Sequence, residues 1–399
     1  MRGPSSASSV RDGAAPRPDP GPGTPGVGLS RSADPARAAS EAAAQIDRTQ
    51  ARFVLAFIPD RLACASLAEA LAQQLPGLPV FGCSSAGQIT PEGYEDDALL
   101  LLAFPRAHFR CATRLIRPLS PFSIEEVSTE ARRLAAQFAH SARWNRLALI
   151  FADGLSKQED LLVAALAAGL EDVPVFGGSA ADALRFRETA ILQDGALHRD
   201  AALLVLIETD LEFRGLGFDH FLPTEHLMVV TEAVPEERLV LELNGAPAAE
   251  EYARLVGSPV EALSPQVFAE HPVLVRNNSI YHVRAIQKVT ETGALSFLSA
   301  IDDGLLLTLG RGREILRTLE DELAVTDAAG RGPEFILGFD CFLRKLEIGQ
   351  KQLTAPASEI LRRHRVLGFN TYGEQHCGVH VNQTFVGVAF FEPRTRGLA

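Results

Sequence analysis

Two stretches of the chain, Arg52 to Gly87 and Arg146 to Ala181, read as copies of one unit, and a repeat constrains the fold more than any single motif. Each begins with a short apolar run closed by an Asp-containing turn, Arg52-Phe-Val-Leu-Ala-Phe-Ile-Pro-Asp60 and Arg146-Leu-Ala-Leu-Ile-Phe-Ala-Asp153, the pattern of a buried strand. Each continues through a capping box, Ser66-Leu-Ala-Glu69 or Ser156-Lys-Gln-Glu159, into helical periodicity. Each ends on Gly and small polar residues, Val80-Phe-Gly-Cys-Ser-Ser-Ala-Gly87 against Val175-Phe-Gly-Gly-Ser-Ala-Ala-Asp182. The likeness extends into the next strand, Asp97 to Leu102 against Asp200 to Val205. A fainter third echo comprises a strand Ile336 to Asp340, a helix Ser358 to His364, and Val366-Leu-Gly-Phe-Asn-Thr-Tyr-Gly-Glu374. The fold class is therefore α/β, with duplicated strand–helix–strand units and α+β elements in the second half.

Turns that recur at the carboxyl ends of strands are a common seat for a ligand. A Walker-type phosphate loop is excluded, because the residues after Gly87 include Pro91 and several acids and no Lys. After Asp182 the chain reads as a hairpin, Thr189 to Leu197, around Asp194-Gly195. Ser84, Ser85 and Ser179 offer hydroxyls, and Gly82, Gly177, Gly178 and Gly368 permit close backbone approach. Tyr372, Glu374 and Asn382 are candidates to orient an amine or a carboxylate.

The chain of 399 residues has room for two domains or three, and its net charge of −12 argues against nonspecific nucleic-acid binding. Its five scattered cysteines, with no CxxC, suggest neither a zinc site nor a disulfide framework and fit reduced thiols in a cytoplasmic protein. No apolar segment reads as a secretory signal or a membrane span. Residues 1–45, rich in Pro, Gly, Ala and Ser, read as a disordered arm. The first module is expected over 46–218 and the second over 219–399, joined near Leu216 to Thr224. Ser123-Ile-Glu-Glu126 opens a helix between the first two copies. In the second module, strands are expected at Leu227 to Thr231, Arg238 to Asn244, around Val273, His282 and Leu295, and at Thr384 to Phe391, with helices at Pro247 to Val256 and Arg313 to Ala324.

The two Gly/Ser turns of the first half resemble the N-terminal FIST domain (F-box and intracellular signal transduction). Gly338-Phe-Asp-Cys341, Gly368-Phe-Asn-Thr-Tyr-Gly-Glu374 and Asn382-Gln-Thr384 resemble the C-terminal FIST domain. The resemblance implies a sensory protein for small ligands such as amino acids, not an enzyme. A narrower resemblance is to the nitric-oxide-sensing haemoproteins of the family. It is carried by Asp153-Gly-Leu-Ser156, Phe176-Gly-Gly-Ser-Ala180, Phe218-Asp-His-Phe-Leu-Pro223, Asn244 to Tyr252 and His380-Val-Asn-Gln-Thr384. It implies b-type haem, nitric oxide as the signal and a partner histidine kinase. In the last motif Val381 stands where the family often has His, with His380 one residue earlier.

A haem sensor needs one imidazole on iron and an apolar slot. His220, flanked by Phe218 and Phe221 at the expected junction, is the first choice for the metal, and His380 the second. Two further readings stay open: a small polar metabolite bound without iron, and an enzyme acting on a small molecule. The Gly/Ser turns form no G-x-S-x-G elbow.

Overall fold

The computed structural model describes residues 21–138, 143–277 and 280–393. Within it the duplication expands into a threefold repeat. The first copy runs strand Gly26–Ser30, helix Pro35–Ala43, strand Ala51–Pro59, helix Ala65–Gln74, strand Val80–Ser85, a hairpin Gln88–Thr90/Gly93–Glu95, and strand Leu99–Pro105. The second repeats that order with Phe109–Ile116, Ile124–Ala135, Asn145–Ala152, Glu159–Leu170, Val175–Ser179, the hairpin Ile191–Gln193/Ala196–His198, and Ala202–Thr209. The third begins at Leu211–Phe218 and resumes, after a long insertion, with helix Ile315–Leu323, strand Phe335–Cys341, helices Phe342–Gln350 and Thr354–Arg363, strand Val366–Thr371, hairpin Glu374–His376/Val379–Val381, and Phe385–Pro393.

In each copy the two central strands pair in parallel, with Gly82 opposite Ala56, Gly177 opposite Ile150 and Gly368 opposite Gly338. A Cβ on any of these three glycines would overlap the carbonyl oxygen of the residue opposite, which is why the repeat keeps Gly there. The hairpins do not return to their own sheets. Ile191 pairs with Cys83, Glu374 with Gly178, and Ile89 with Gly368, so each copy lends its hairpin to another in a closed cycle. Three six-stranded sheets result, each containing strands from two copies.

Strand alternation then sets the layers. Phe53, Leu55 and Phe57 face a common core shared by the three sheets, while Val54, Ala56 and Ile58 face the outer helices. Leu147, Leu149 and Phe151 repeat this pattern, as do Phe335, Leu337 and Phe339. Both faces are covered, so the strands read as continuous apolar runs. Phe369 joins the copies most directly, with its ring 4.6 Å from Phe57, 6.0 Å from Phe151 and 5.7 Å from Phe339.

The insertion, from Phe221–Val234 to Leu306–Gly312, builds a fourth, eight-stranded sheet with its own core around Met228, Tyr252, Phe268 and Leu307. Strands cover the positions expected around Leu227, Arg238, Val273, His282 and Leu295, and Ala248–Val256 is helical. Two positive-φ pairs make the tight turns read from sequence, Asp194-Gly195 and Asn244-Gly245.

Three expectations change. Of the arm expected over 1–45, residues 1–20 lie outside the described residues, whereas Gly26–Ser30 pairs with Leu99–Ala103 and Pro35–Ala43 buries Ala38, Ala39 and Ala42. The stretch expected to join two modules is instead strand: Leu211–Phe218 pairs along Phe385–Pro393 in the third sheet. Of the three capping boxes, Ser123 caps its helix by accepting from the Glu126 N–H at 3.3 Å. Ser66 lies inside a helix capped at Cys64, and the Ser156 hydroxyl donates to the Asp153 carbonyl at 2.8 Å.

Candidate functional site

The three repeated turns meet one another. The Ala181 N–H donates to the Ser84 carbonyl at 3.1 Å, the Ser179 N–H to the Gly373 carbonyl at 2.8 Å, and the Asn370 N–H to the Gly87 carbonyl at 2.8 Å. Several candidate residues are consumed by this junction. The Ser84 hydroxyl accepts from Ala190 N–H at 3.0 Å. The Ser85 hydroxyl donates to the Ile58 carbonyl at 3.0 Å and accepts from Gln88 at 2.7 Å. The Tyr372 hydroxyl donates to Asp182 and accepts from Leu184 N–H. Gly82 and Gly178 serve packing, since a Cβ on Gly178 would overlap the Thr371 methyl. Glu374 is fully buried between the Thr371 hydroxyl and the Thr384 N–H, and burial pushes its carboxyl well above the usual range. These groups are buried and hold the copies together.

His380 and Asn382 are different. Two residues apart beside the last hairpin, they turn to one side and pack on Gly373: the His380 ring takes the place a Cβ of Gly373 would have, with its Nε2 2.9 Å and Asn382 Nδ2 3.1 Å from that point. Both nitrogens are buried with no hydrogen-bond partner, as is Gln375 Oε1. Their identities follow from the neighbours. Asn382 Oδ1 accepts from the Ser299 hydroxyl and the Ala285 N–H, which leaves its amino group as the free end. Gln375 Nε2 donates to Ser179 Oγ at 2.9 Å and faces His380 Nδ1 at 3.3 Å. With the Gln375 amide in this orientation, Nδ1 accepts and the ring proton sits on Nε2. Burial pulls the imidazole below its ordinary range, against the opposing pull of Asp160 and Glu159, so the ring is neutral near pH 7. Two buried N–H donors without acceptors converge on one glycine, an arrangement that costs stability unless something accepts from them.

A charged shell surrounds this point. Arg238 from the inserted sheet bonds Glu159 at 2.8 Å and Asp160 at 3.1 Å, at the start of helix Glu159–Leu170. Asp160 also accepts from Ala300 N–H at 3.0 Å and lies 3.7 Å from Arg284, whose Nη1 donates to the His380 carbonyl. Burial alone would raise the Asp160 carboxyl, but Arg284, Arg238 and, once it is protonated in acid, His380 outweigh it and hold it low. Second copy, third copy and inserted sheet thus meet at this site. Sequence reasoning missed Gln375, Asp160, Arg284 and Ser299; only Gln375 carried a signal, as part of the short hairpin that places it opposite His380.

His220 does not fit an iron ligand here. Its Nε2 donates to both Glu347 oxygens, at 3.0 and 2.9 Å, and its Nδ1 accepts from Arg344 at 3.2 Å. Arg344 in turn bonds Asp340 at 2.8 Å, and Tyr94 donates to the same carboxylate. With no exposed surface and both ring nitrogens engaged, His220 ties the inserted sheet to helix Phe342–Gln350. His380 has a free Nε2, but Gln375, Asn382 and the Gly373 backbone face it, and these supply no apolar slot for a porphyrin. No group of three or more His, Cys, Asp or Glu positioned for a metal ion occurs among the described residues, and no helix there is long and apolar enough to cross a membrane.

Comparison with known proteins finds the FIST N domain over residues 52–246 and the FIST C domain over residues 248–377. The two matches meet beyond position 218, inside the inserted sheet. No curated protein matches the chain. With both domains present in order over most of its length, the chain belongs to the FIST family, whose domains are associated with signal-transduction sensing of small ligands.

Proposed function

We propose that this protein senses a small polar molecule held at Gly373 by His380 and Asn382. The observation that carries the reading is the pair of buried, unpartnered donors, His380 Nε2 and Asn382 Nδ2, on one glycine where two copies and the inserted sheet meet. A ligand that accepts from both removes a standing cost of buried N–H groups. Through Asn382 it touches Ser299 and Ala285 of the inserted sheet, and past His380 it faces the Arg284–Asp160 pair. Occupancy therefore biases how the insertion sits on the second copy, which is the kind of two-state element a sensor needs. The signal then passes to a protein partner; the expected one, a histidine kinase in the cytoplasm, rests on the sequence resemblance alone. An enzymatic reading finds the Ser179 and Ser299 hydroxyls around the site already bonded to Gln375 and Asn382.

Calorimetric titration of the full chain against a small-metabolite panel tests the reading. At least one metabolite should bind saturably and lose affinity in Gly373→Ala, whose Cβ would press on the His380 ring. Binding unchanged in that variant would place the ligand elsewhere. The haem and nitric oxide reading is tested separately, by the absorption spectrum of protein expressed with haem supplied. The engaged nitrogens of His220 predict no Soret band that depends on His220; a band that moves with nitric oxide and is lost in His220→Ala would reverse this conclusion.

A further inference from the structure

We infer a second binding site, separate from the one at Gly373, that takes a small neutral aromatic molecule carrying one hydroxyl. It lies where the hairpin of the second copy crosses onto the first. A cavity of about 190 Å³ opens there beside the Asp194-Gly195 turn, lined by Leu71, Leu75, Phe81, Thr113, Leu192 and Gln193. The three exchanged hairpins differ at one position. Gln193, His376 and Thr90 each follow the residue that pairs with a repeated glycine: Leu192 with Gly82, Gln375 with Gly177 and Ile89 with Gly368. The hairpins of Gln193 and His376 seat alike, since a Cβ on Gly195 or Gly378 would lie 3.3 Å from a helix alanine, Ala72 or Ala167. In the second of these seats the His376 ring packs on Phe176, with centroids 5.8 Å apart. Thr90 turns its hydroxyl to Glu95 of its own hairpin, at 2.7 Å. Gln193, nine-tenths buried, is the exception. Its Nε2 reaches Thr113 Oγ1 at 3.3 Å, its Oε1 is buried without a partner, and Phe81, the counterpart of Phe176, lines the cavity beside it. Turning the amide over would exchange the two atoms and still leave one end unmet.

The class of ligand follows from these walls. An apolar cavity of roughly 150 Å³ takes up benzene, so this one has room for a single ring. The buried side chains of Leu71, Leu75 and Leu192 favour an uncharged occupant. A ring against Phe81 would repeat the contact of His376 with Phe176. A hydroxyl both donates and accepts, and so meets the free end of Gln193 in either orientation. Gly77, Pro79 and Asp194, exposed at the rim, leave a way in from solvent.

The test uses the full chain labelled with ¹⁵N at glutamine, titrated with phenol and, separately, with toluene. Phenol should move the Gln193 side-chain amide signal saturably and leave that of Gln375 in place. In Gln193→Leu, which keeps the wall but removes the amide, the ratio of phenol to toluene affinity measured by calorimetry should fall about fivefold. Gln193→His, which sets an imidazole against Phe81 as His376 sits against Phe176, should abolish binding of both. A Gln193 signal that phenol leaves unmoved in folded protein would overturn the inference, with water alone in the cavity. Phenol binding that persists unchanged in Gln193→His would overturn it too, by placing the molecule elsewhere.

Discussion

Replacing Phe369 with Ala probes whether the chain is two modules or one interlocked body. Phe369 has no exposed surface, and its ring touches Phe57 of the first copy, Phe151 of the second and Phe339 of its own. Removing such a ring costs about 3–5 kcal/mol in lost burial and cavity formation. Unfolding entropy of roughly 2.1 cal/mol/K per residue gives about 0.8 kcal/mol/K for a chain of this size, so the melting temperature should drop by about 4–6 °C. The single tryptophan, Trp144, reports the second copy, beside Arg110 and remote in sequence from the substitution. Because hairpins are exchanged around all three copies, guanidinium unfolding followed by Trp144 fluorescence and by far-ultraviolet circular dichroism should shift together, in one transition. A Trp144 midpoint that stays in place while circular dichroism splits into two steps would refute the interlocked fold.

Further outcomes follow from the buried charges. Arg238→Met leaves the Glu159 and Asp160 carboxylates without their guanidinium in a buried setting, and should cost about 3–5 kcal/mol in denaturant unfolding; a change near zero would mean that water reaches this shell. Glu374 keeps its proton in the folded state while the unfolded chain ionises above roughly pH 4.3, so its contribution is full below that pH and is lost as pH rises. Glu374→Gln, able to bond both Thr371 and Thr384, should therefore gain stability over wild type between about pH 5 and pH 8, and a parallel pH profile would contradict the assignment. His380 acts in the opposite direction: held neutral by burial, it makes the fold lose stability as pH falls below roughly 6.5, where only the unfolded chain takes up the proton, and His380→Gln should flatten that limb of the profile.

The repeat was legible because its first central strands are long apolar runs and the strands paired with them open on Val80-Phe-Gly82, Val175-Phe-Gly177 and Val366-Leu-Gly368, each glycine forced by a carbonyl opposite. The first elements of the first copy were hidden by their composition. Helix Pro35–Ala43 buries only alanines, which give little apolar contrast against the Pro- and Gly-rich residues before it. The third copy was faint because the insertion separates its first strand from the rest and two helices stand where the others have one. Exchange of the hairpins could not be read at all: three-residue strands carry too little pattern to choose a partner. At the site, His380 and Asn382 were found by motif. The aromatic flanks of His220 pointed to a pocket, whereas Glu347 and Arg344, far away in sequence, claim both of its nitrogens.

Whether a molecule accepts from the His380 and Asn382 nitrogens beside Gly373 is decided most directly by a crystal structure of the protein purified from cells, at a resolution that shows single waters. The sensing reading predicts connected density larger than one water, with an acceptor in hydrogen-bond reach of both His380 Nε2 and Asn382 Nδ2. A lone water bridging the two nitrogens, or a protein carbonyl turned to satisfy them, would contradict it.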